Sequence, residues 1–224
     1  MSKLFIVATP LGNISDISTR AINILSEAEI VLSEDSRVGG KLLALLGISV
    51  PVVSYHQHSQ PQTYGKILDI LKDGKNVALI TDAGTPGISD PGNELIAWLL
   101  VYFPDLQVVP IPGPSAVTAL LSISGFNCSQ FLFLGFFPKK KKSKVIEEAK
   151  NSTRVVVFFE SPHRILKTLK ELEKNIGKNR KAVVGRELTK LHETIYRGTI
   201  SEIIQSMTDF HDTKGEFVVA VSPS

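Results

Sequence analysis

Short apolar runs alternate with amphipathic segments through the first half of the chain. Apolar runs bounded by turn-forming residues are typical of buried strands, and apolar positions three or four residues apart are typical of helices. The pattern predicts strands at 3–9, 29–34, 50–55, 76–81 and 106–111, and helices near 18–27, 37–46, 61–73, 91–103 and 114–124. Strands that alternate with helices form βαβ units, so we expect a mostly parallel sheet with flanking helices.

The second half mixes strands and helices less regularly. It begins with the apolar run 131–137, and it predicts further strands at 155–160, 181–187, 193–198 and 215–221, with helices at 141–151, up to Ile176 before Gly177, and at 201–207. Serine, glycine and asparagine cluster at 122–130, a composition typical of a connection. We therefore expect an α/β protein with two α/β domains, residues 1–124 around the parallel sheet and residues 125–224 around a mixed sheet.

One strand of the first half runs into a loop rich in glycine and proline. The strand is Val77–Ile80, and Thr85–Gly87 suits a type II turn, in which proline presets the first central residue and glycine takes a positive φ at the second. A helix should follow, with Ser89 or Asp90 as its N-cap. Such a loop is stiff and leaves backbone donors and acceptors accessible. In open α/β sheets, ligands bind beyond the carboxyl ends of strands, where this loop lies.

A second loop has the same design. The apolar run 106–111 enters the Pro-Gly-Pro turn at 112–114, and an apolar helix leaves it. Two rigid turns less than thirty residues apart in sequence could form two walls of one pocket. The plain alternative is that each is only a well-made connection between a strand and a helix.

Polar side chains follow three other strands, where ordinary turn formers are usual. They occupy 33–37, 55–58 and 159–164. In a parallel sheet the first two would open on the same edge as the Pro-Gly loops, which favours a catalytic edge. Structural alternatives exist for each. Asp35 could cap the following helix, Glu34 could pair with Arg37 at helical spacing, and Glu160 could pair with Arg164.

Several kinds of site are absent from the sequence. There is no Gly-x-x-x-x-Gly-Lys-Ser/Thr loop, no Gly-x-Gly-x-x-Gly after the first strand and no Gly-x-Ser-x-Gly elbow. Cys128 is the only cysteine, so an internal disulfide is excluded and covalent catalysis is not expected. His56 and His58 could chelate a metal, but no cysteine or acidic cluster accompanies them, and we predict no metal.

The longest apolar run, 95–103, is too short to cross a bilayer, and no secretory signal is expected. We therefore predict a cytoplasmic protein without membrane contact. The net charge of +3 conceals an asymmetry. Residues 1–124 carry seven Lys or Arg against eleven Asp or Glu, a charge of −4, whereas residues 125–224 carry eighteen against eleven, a charge of +7. A polyanion such as nucleic acid is one explanation, and lysines that merely solubilise helix faces are the other.

Together these segments resemble the tetrapyrrole-methylase superfamily, the class III S-adenosylmethionine-dependent methyltransferases. More narrowly, they resemble bacterial enzymes that methylate the ribose 2′-oxygen of a cytidine in the decoding region of 16S ribosomal RNA. The matching segments are Val7–Asn13, Glu34–Arg37, Asp82–Gly92, Pro110–Ala116, Phe159–Arg164, Arg186–Lys190 and Lys214–Phe217. One departure is Gln57, within His56-Gln57-His58-Ser59, where those enzymes have an acid.

The resemblance implies two α/β domains with S-adenosylmethionine bound in the cleft between them. Carried over by position, the donor-binding residues are Leu11, Gly12, Gly84, Thr85, Pro86, Ser89, Ser115 and Ala116, with the neighbourhoods of Glu160 and Leu188 from the second domain. Such enzymes are generally homodimers. The implied partner is 16S ribosomal RNA, within the small ribosomal subunit, and the basic second domain would help to hold it.

The catalytic base is not decided by the residues alone. Candidate bases or hydroxyl-orienting groups are Asp35, Asp82 and Glu160. Candidate RNA contacts are Arg37, His56, Lys139, Lys140, His163, Arg164, Arg186 and Lys190. Two alternatives stay open: a methyltransferase of this fold that acts on a tetrapyrrole ring, and a non-catalytic RNA-binding module with a vestigial pocket. The basic second half favours RNA over the ring.

Overall fold

The computed structural model describes residues 2–56 and 61–224. The chain divides into two compact units, residues 1–115 and 116–224. Each unit combines one five-stranded sheet with helices, so the predicted fold class of two α/β domains is confirmed. Residues 116–124 carry no charged side chain, so the charges of −4 and +7 found for the two halves of the sequence also hold for these two units.

The first unit is built from five parallel strands in the order β3-β2-β4-β1-β5. Its elements are β1 (Lys3–Val7), a short 3-10 helix (Ile14–Asp16), α1 (Thr19–Glu27), β2 (Ile30–Ser33), α2 (Ser36–Leu45), β3 (Val52–Ser54), α3 (Pro61–Lys72), β4 (Val77–Leu79), α4 (Asn93–Tyr102) and β5 (Gln107–Ile111). Because successive side chains of a strand face opposite ways, Leu4 packs into the core on one side of the sheet and Phe5 into the core on the other. All five strands therefore end at one edge.

The second unit holds a mixed sheet in the order β6-β7-β10-β8-β9. Its elements are α5 (Ala116–Ser122), β6 (Phe131–Phe136), α6 (Lys142–Asn151), β7 (Val155–Glu160), α7 (Ile165–Ile176), β8 (Lys181–Arg186), β9 (Thr194–Thr199), α8 (Ile200–Asp209) and β10 (Phe217–Val221). Only the β6–β7 pair is parallel. Both β7 and β8 end opposite Phe217 at the start of β10, so the segments after these two strands share an edge.

Two local expectations differ from the structure. The helix after the first Pro-Gly loop begins at Asn93 with Gly92 as N-cap, so the prediction of Ser89 or Asp90 was wrong. The reason is backbone conformation: Ser89 has φ +64° and Gly92 φ +146°, neither of which continues into a right-handed helix. The sequence predicts a domain boundary at 124/125, whereas the compact units divide at 115/116 because α5 packs on β8 and β10.

Among the described residues, no helix combines the length and the apolar character needed to cross a membrane.

Candidate active site

The loop between β4 and α4 contains the type II turn that the sequence indicated. The Ile88 backbone N–H donates to the Thr85 carbonyl oxygen over 3.4 Å. Gly87, the third residue of the turn, has φ +82°, which glycine adopts without strain. The Asn93 side-chain amide donates to the Gly87 carbonyl oxygen over 2.8 Å and ties the turn to the start of α4. The loop is thus fixed largely by its own backbone.

Hydrogen bonds join the loops that follow β1, β4 and β5. Thr9 and Gly84 exchange backbone hydrogen bonds of 2.8 and 3.1 Å, and Thr9 Oγ1 donates to the Thr81 carbonyl oxygen over 3.0 Å. On the other side, Thr85 Oγ1 donates to the Pro114 carbonyl oxygen over 3.2 Å. The two Pro-Gly turns and the loop after β1 therefore form one connected edge, which we call the loop rim (residues 9–13, 81–92 and 112–115).

At the centre of the loop rim, glycine residues leave the backbone uncovered by side chains. Gly84 has φ +86°, and a Cβ there would lie 3.5 Å from Leu11 Cδ2. At Gly113 a Cβ would lie only 3.0 Å from Ala8 Cβ, so β1 and the second loop approach closely. Thr81 Oγ1 is buried and has no hydrogen-bond partner among the described residues. Bare glycine backbone beside an unpaired buried hydroxyl is suited to a small ligand with polar groups.

Asp35 caps α2 and pairs with Arg37. Asp35 Oδ1 accepts hydrogen bonds from the Arg37 backbone N–H at 2.9 Å and from Arg37 Nε at 3.0 Å, and Oδ2 lies 2.6 Å from Arg37 Nη2. These hydrogen bonds lower the pKa of Asp35 to about 2. The helix-cap alternative is confirmed, and the alternative pairing of Glu34 with Arg37 is wrong because Asp35 takes the guanidinium. A carboxylate this acidic is a weak proton acceptor.

Glu34, one residue earlier, lies in a different environment. Burial raises the pKa of Glu34, the nearby Asp82 carboxylate raises it further, and His56 acts in the opposite direction. Asp82 Oδ1 accepts a hydrogen bond from the Asp35 backbone N–H at 3.2 Å, which joins the ends of β2 and β4. Ser54 Oγ donates to the Glu34 carbonyl oxygen over 3.2 Å and lies 2.9 Å from His56 Nε2. The ends of β2, β3 and β4 thus bring together three titratable side chains, those of Glu34, His56 and Asp82.

Sequence reasoning selected Asp35 and Asp82 but missed Glu34. The sequence gives the two neighbours Glu34 and Asp35 the same strand-end position, and only the fold shows which of them Arg37 engages. The one signal in the sequence that could have pointed to Glu34 was its place at the end of the predicted strand 29–34.

In the second unit, Glu160 ends β7 with a fully buried side chain. Its Oε1 accepts from the Ser161 backbone N–H at 2.7 Å and from Arg164 Nε at 2.8 Å, and its Oε2 accepts from Thr168 Oγ1 at 2.6 Å. Arg164 Nη2 also donates to the Phe137 carbonyl oxygen at 2.6 Å. The structural alternative for Glu160, an ion pair with Arg164, is confirmed. The arrangement favours a positioning role for Glu160 and Arg164 over proton transfer, and the catalytic role of Glu160 stays a prediction.

Arg186, the last residue of β8, and Lys190, which follows the strand, are paired with acids of the same unit. Arg186 Nη1 lies 3.0 Å from Asp212 Oδ1. Lys190 Nζ lies 3.0 Å from Glu187 Oε1 and 2.9 Å from Glu216 Oε2. Burial lowers the pKa of Lys190, but the hydrogen bonds to these two carboxylates outweigh it and raise the pKa. To contact RNA phosphates, Arg186 and Lys190 would have to divide their hydrogen bonds between these carboxylates and the phosphates. Their role in RNA binding stays a prediction.

The structure places the remaining predicted residues as follows. The loop rim contains Leu11, Gly12, Thr85, Pro86, Ser89 and Ser115, while Ala116 begins α5 and Leu188 is buried after β8 in the second unit. His163, Lys139 and Lys140 are exposed. Gln57, His58 and Ser59 lie outside the described residues. Across residues 2–56 and 61–224, no group of three His, Cys, Asp or Glu side chains is arranged to hold a metal ion.

Comparison with known proteins connects these features to a family. The sequence profile of the tetrapyrrole (corrin/porphyrin) methylases matches residues 3–204. The ribosomal RNA small subunit methyltransferase I of Thermotoga maritima is 41% identical over 225 residues, which cover 99% of each chain. The protein of the same name from Synechocystis is 39% identical over 224 residues, covering 99% of this chain and 79% of that protein.

Solved structures share the fold at lower identity. Cobalt-precorrin-4 methyltransferase, a cobalamin biosynthetic enzyme, superimposes with a TM-score of 0.74 at 21% identity, covering 97% of this chain and 94% of its own. Uroporphyrin-III C-methyltransferase from Thermus thermophilus gives a TM-score of 0.68 at 16% identity, covering 98% and 94%. These likenesses show that the fold is shared.

Proposed function

Because the chain belongs to the tetrapyrrole methylase family, we propose that it transfers a methyl group from S-adenosylmethionine to a cytidine ribose 2′-oxygen of 16S ribosomal RNA. Relatives 39% and 41% identical over nearly its whole length are named small-subunit ribosomal RNA methyltransferases. The 2′-oxygen and the decoding-region cytidine follow from the resemblance of Glu34–Arg37, Asp82–Gly92 and Phe159–Arg164 to enzymes with that activity. The chain is thus an RNA-modifying enzyme.

The loop rim is the observation that carries this proposal. The hydrogen bonds from Thr9 to Gly84 and from Thr85 to Pro114 hold both Pro-Gly turns in one rigid edge. The bare backbone of Gly84 and the unpaired hydroxyl of Thr81 fit a polar adenosyl ligand. We assign donor binding to Leu11, Gly12, Gly84, Thr85, Pro86, Ser89 and Ser115. The same assignment for Ala116, Glu160 and Leu188 stays a prediction from the resemblance.

Positioning should contribute more to the rate than any single acid or base. S-adenosylmethionine supplies a methyl group that its positive sulfur has already activated. The protein must hold a weakly nucleophilic hydroxyl in place and accept its proton. Fixed positioning can supply about 7–11 kcal/mol. A general base gives about 10²–10⁴-fold, or about 3–5 kcal/mol. The rigid loop rim therefore matters more than the base.

Glu34 is the carboxylate best suited to accept the hydroxyl proton. Adjacent carboxylates whose surroundings push their pKa values apart divide acid, base and electrostatic roles between them. Asp35, paired with Arg37, stays ionised, whereas the pKa of Glu34 is raised by burial and by Asp82. A base is most effective when its pKa approaches the operating pH. We therefore assign proton acceptance to Glu34 and a supporting electrostatic role to Asp82.

In a Glu34→Gln variant, single-turnover methyl transfer should slow by about 100-fold, with donor affinity in calorimetry unchanged within about twofold. A base acts only when deprotonated. The wild-type rate should thus rise with pH through the raised pKa of Glu34 and then level off, and the variant should lack this rise. Asp35→Asn is the control and should keep it. The assignment is contradicted if Glu34→Gln keeps the pH profile of the wild type, or if Asp35→Asn loses the rise of the rate with pH.

The charge of the second unit supports a polyanionic substrate. The run of four lysines in this unit, Lys139–Lys142, is only partly available to contact RNA, however. Lys139, Lys140 and Lys141 are exposed, whereas Lys142 Nζ lies 2.6 Å from Glu171 Oε2 and 6.0 Å from the centre of the Phe137 ring. Three lysines of this run, rather than four, are therefore candidates to contact phosphates.

Replacing Lys139, Lys140 and Lys141 together by alanine should flatten the salt dependence of RNA binding. Each single-strand phosphate that is neutralised adds about 0.7 to the log-log slope, so the slope should fall by about 2. The matched control replaces Lys167, Lys170 and Lys174 on α7, which are also exposed and carry the same total charge, and should change the slope little. Equal effects of the two triple variants would show that the run is ordinary surface.

Incubation with donor labelled in its methyl group tests the proposed function. Small ribosomal subunits, free 16S ribosomal RNA and a uroporphyrinogen are offered separately. We expect label in the RNA as 2′-O-methylcytidine and none in the tetrapyrrole. Label in the uroporphyrinogen alone would favour the tetrapyrrole alternative, and RNA binding without donor binding or methyl transfer would favour the non-catalytic module.

We also propose that the substrate RNA is presented within the small ribosomal subunit, that the chain acts as a homodimer, and that it works in the cytoplasm. The resemblance to enzymes with these properties supports all three. Faster methylation of assembled subunits than of free RNA, and a sedimenting mass of twice the 24.5 kDa chain, are the expected results.

A further inference from the structure

An aromatic face lies on the edge strand of the second sheet. β6 is the first strand in the order β6-β7-β10-β8-β9, so within the described part of the chain it has a neighbouring strand on one side only. Phe131, Phe133 and Phe136 of β6 pair in register with Val155, Val157 and Phe159 of β7. Because alternate residues of a strand face the same way, Phe131 and Phe133 share one side of the sheet.

A bulge keeps Phe136 on that side. Phe133 and Phe136 are three residues apart, which in a regular strand would place them on opposite faces. The register shifts between them, and Gly135 has φ +66°, the conformation of a glycine bulge. Phe136 consequently lies opposite Phe159, with ring centres 5.4 Å apart, and Phe133 lies 5.1 Å from the same ring.

The rings on this side are not used in the core of the unit. The core on the other side of the sheet contains Phe137 and Phe158, each 1% exposed. Phe136 is instead 58% exposed and Phe131 40% exposed. We call Phe131, Phe133, Phe136 and Phe159 the aromatic face. Phe133 and Phe159 are half-buried beside them. Burying Phe131 and Phe136 elsewhere would stabilise the fold, so their exposure indicates a surface used for binding.

We propose that the aromatic face stacks bases of single-stranded RNA while Lys139, Lys140 and Lys141 contact its phosphates. The lysines begin three residues after Phe136, so both kinds of contact lie within one short segment. Basic residues beside aromatic rings are the arrangement by which proteins hold single strands, because every base has a face that can stack. This inference rests on the proposed function, for which it names the part of the surface that grips RNA.

Charge favours RNA over a second copy of the chain as the occupant. A two-fold contact through this face would bring the run of exposed lysines near its own copy, in a unit whose charge is already +7. RNA instead neutralises those charges. The two occupants differ in a measurable way, since one changes the oligomeric state and the other does not.

A Phe136→Leu variant separates stacking from charge. Leucine keeps an apolar side chain at this exposed position but has no ring to stack. We expect affinity for a fluorescein-labelled single-stranded RNA of about twelve nucleotides to fall about tenfold, with the salt slope unchanged. The lysine triple variant should change the slope. Phe210→Leu is the control, because Phe210 is 73% exposed at the end of α8 in the same unit, and its affinity should match the wild type.

Three outcomes overturn the inference. Phe136→Leu could bind RNA as tightly as the wild type. Phe210→Leu could weaken binding as much as Phe136→Leu. Sedimentation could show that Phe136→Leu turns a dimer into a monomer with RNA affinity unchanged, which would make a second copy the occupant. In each case wild-type methylation of 16S ribosomal RNA would persist, whereas its absence would instead overturn the proposed function.

Discussion

A Gly84→Val variant should fold but show no measurable binding of S-adenosylmethionine in calorimetry. Gly84 has φ +86°, where a β-branched residue is strained by about 1–2 kcal/mol. A Cβ would lie 3.5 Å from Leu11 Cδ2 and 3.8 Å from the Pro114 carbonyl oxygen, and the two valine methyl groups would extend further into the loop rim. The variant therefore fills the bare backbone at the centre of the proposed donor site.

Gly74→Val is the matched control for this result. Gly74 has φ +84°, almost the same conformation, but a Cβ there would have no heavy atom of the described residues within 4 Å. It lies in the turn before β4, at the opposite end of that strand from the loop rim. The control should lose similar stability and keep its donor affinity. Unaltered donor affinity in Gly84→Val would remove the β4 loop from the site.

Glu160→Ala should lower the free energy of unfolding by about 3–5 kcal/mol, the usual cost of removing one partner of a buried ion pair. Glu160 has a side chain with no exposed surface, and it accepts hydrogen bonds from Ser161, Arg164 and Thr168. Alanine would leave the mostly buried Arg164 guanidinium without its carboxylate. Urea unfolding followed by circular dichroism measures the change.

The control for Glu160 is Glu147→Ala. Glu147 is an exposed glutamate of α6 in the same unit, and its Oε1 accepts a hydrogen bond from the Asn151 side-chain amide. Its replacement should change the free energy of unfolding by less than about 0.5 kcal/mol. If Glu160→Ala were equally mild, the carboxylate would not be holding the β7–α7 connection, and its predicted catalytic role would regain weight.

The strands and helices could be predicted from the sequence because their signals are local. Val77–Ile80 is apolar because β4 lies in the middle of its sheet, and Gly177 ends α7 with φ +101°, as the sequence indicated. The type II turn at Thr85–Gly87 was also predictable, since proline and glycine restrict φ by themselves. In each case the residues that set the conformation are close together in sequence.

Features set by distant residues or by an unusual backbone conformation could not be predicted. Only the fold shows that Arg37 pairs with Asp35 and that Asp82, forty-seven residues beyond Asp35, lies near Glu34 and the Asp35 backbone N–H. The start of α4 at Asn93 follows from the positive φ of Ser89 and Gly92, which the capping preferences of serine and aspartate do not reveal. The aromatic face depends on a bulge whose only sequence signal is Gly135 inside an apolar run.

The most direct test of the account is a crystal structure of the chain with S-adenosylhomocysteine, the product left after methyl transfer. The account predicts that the adenosyl group contacts the Gly84–Thr85 backbone and that its sulfur faces the edge that carries Glu34. An adenosyl group bound with no contact to either Pro-Gly loop would contradict it.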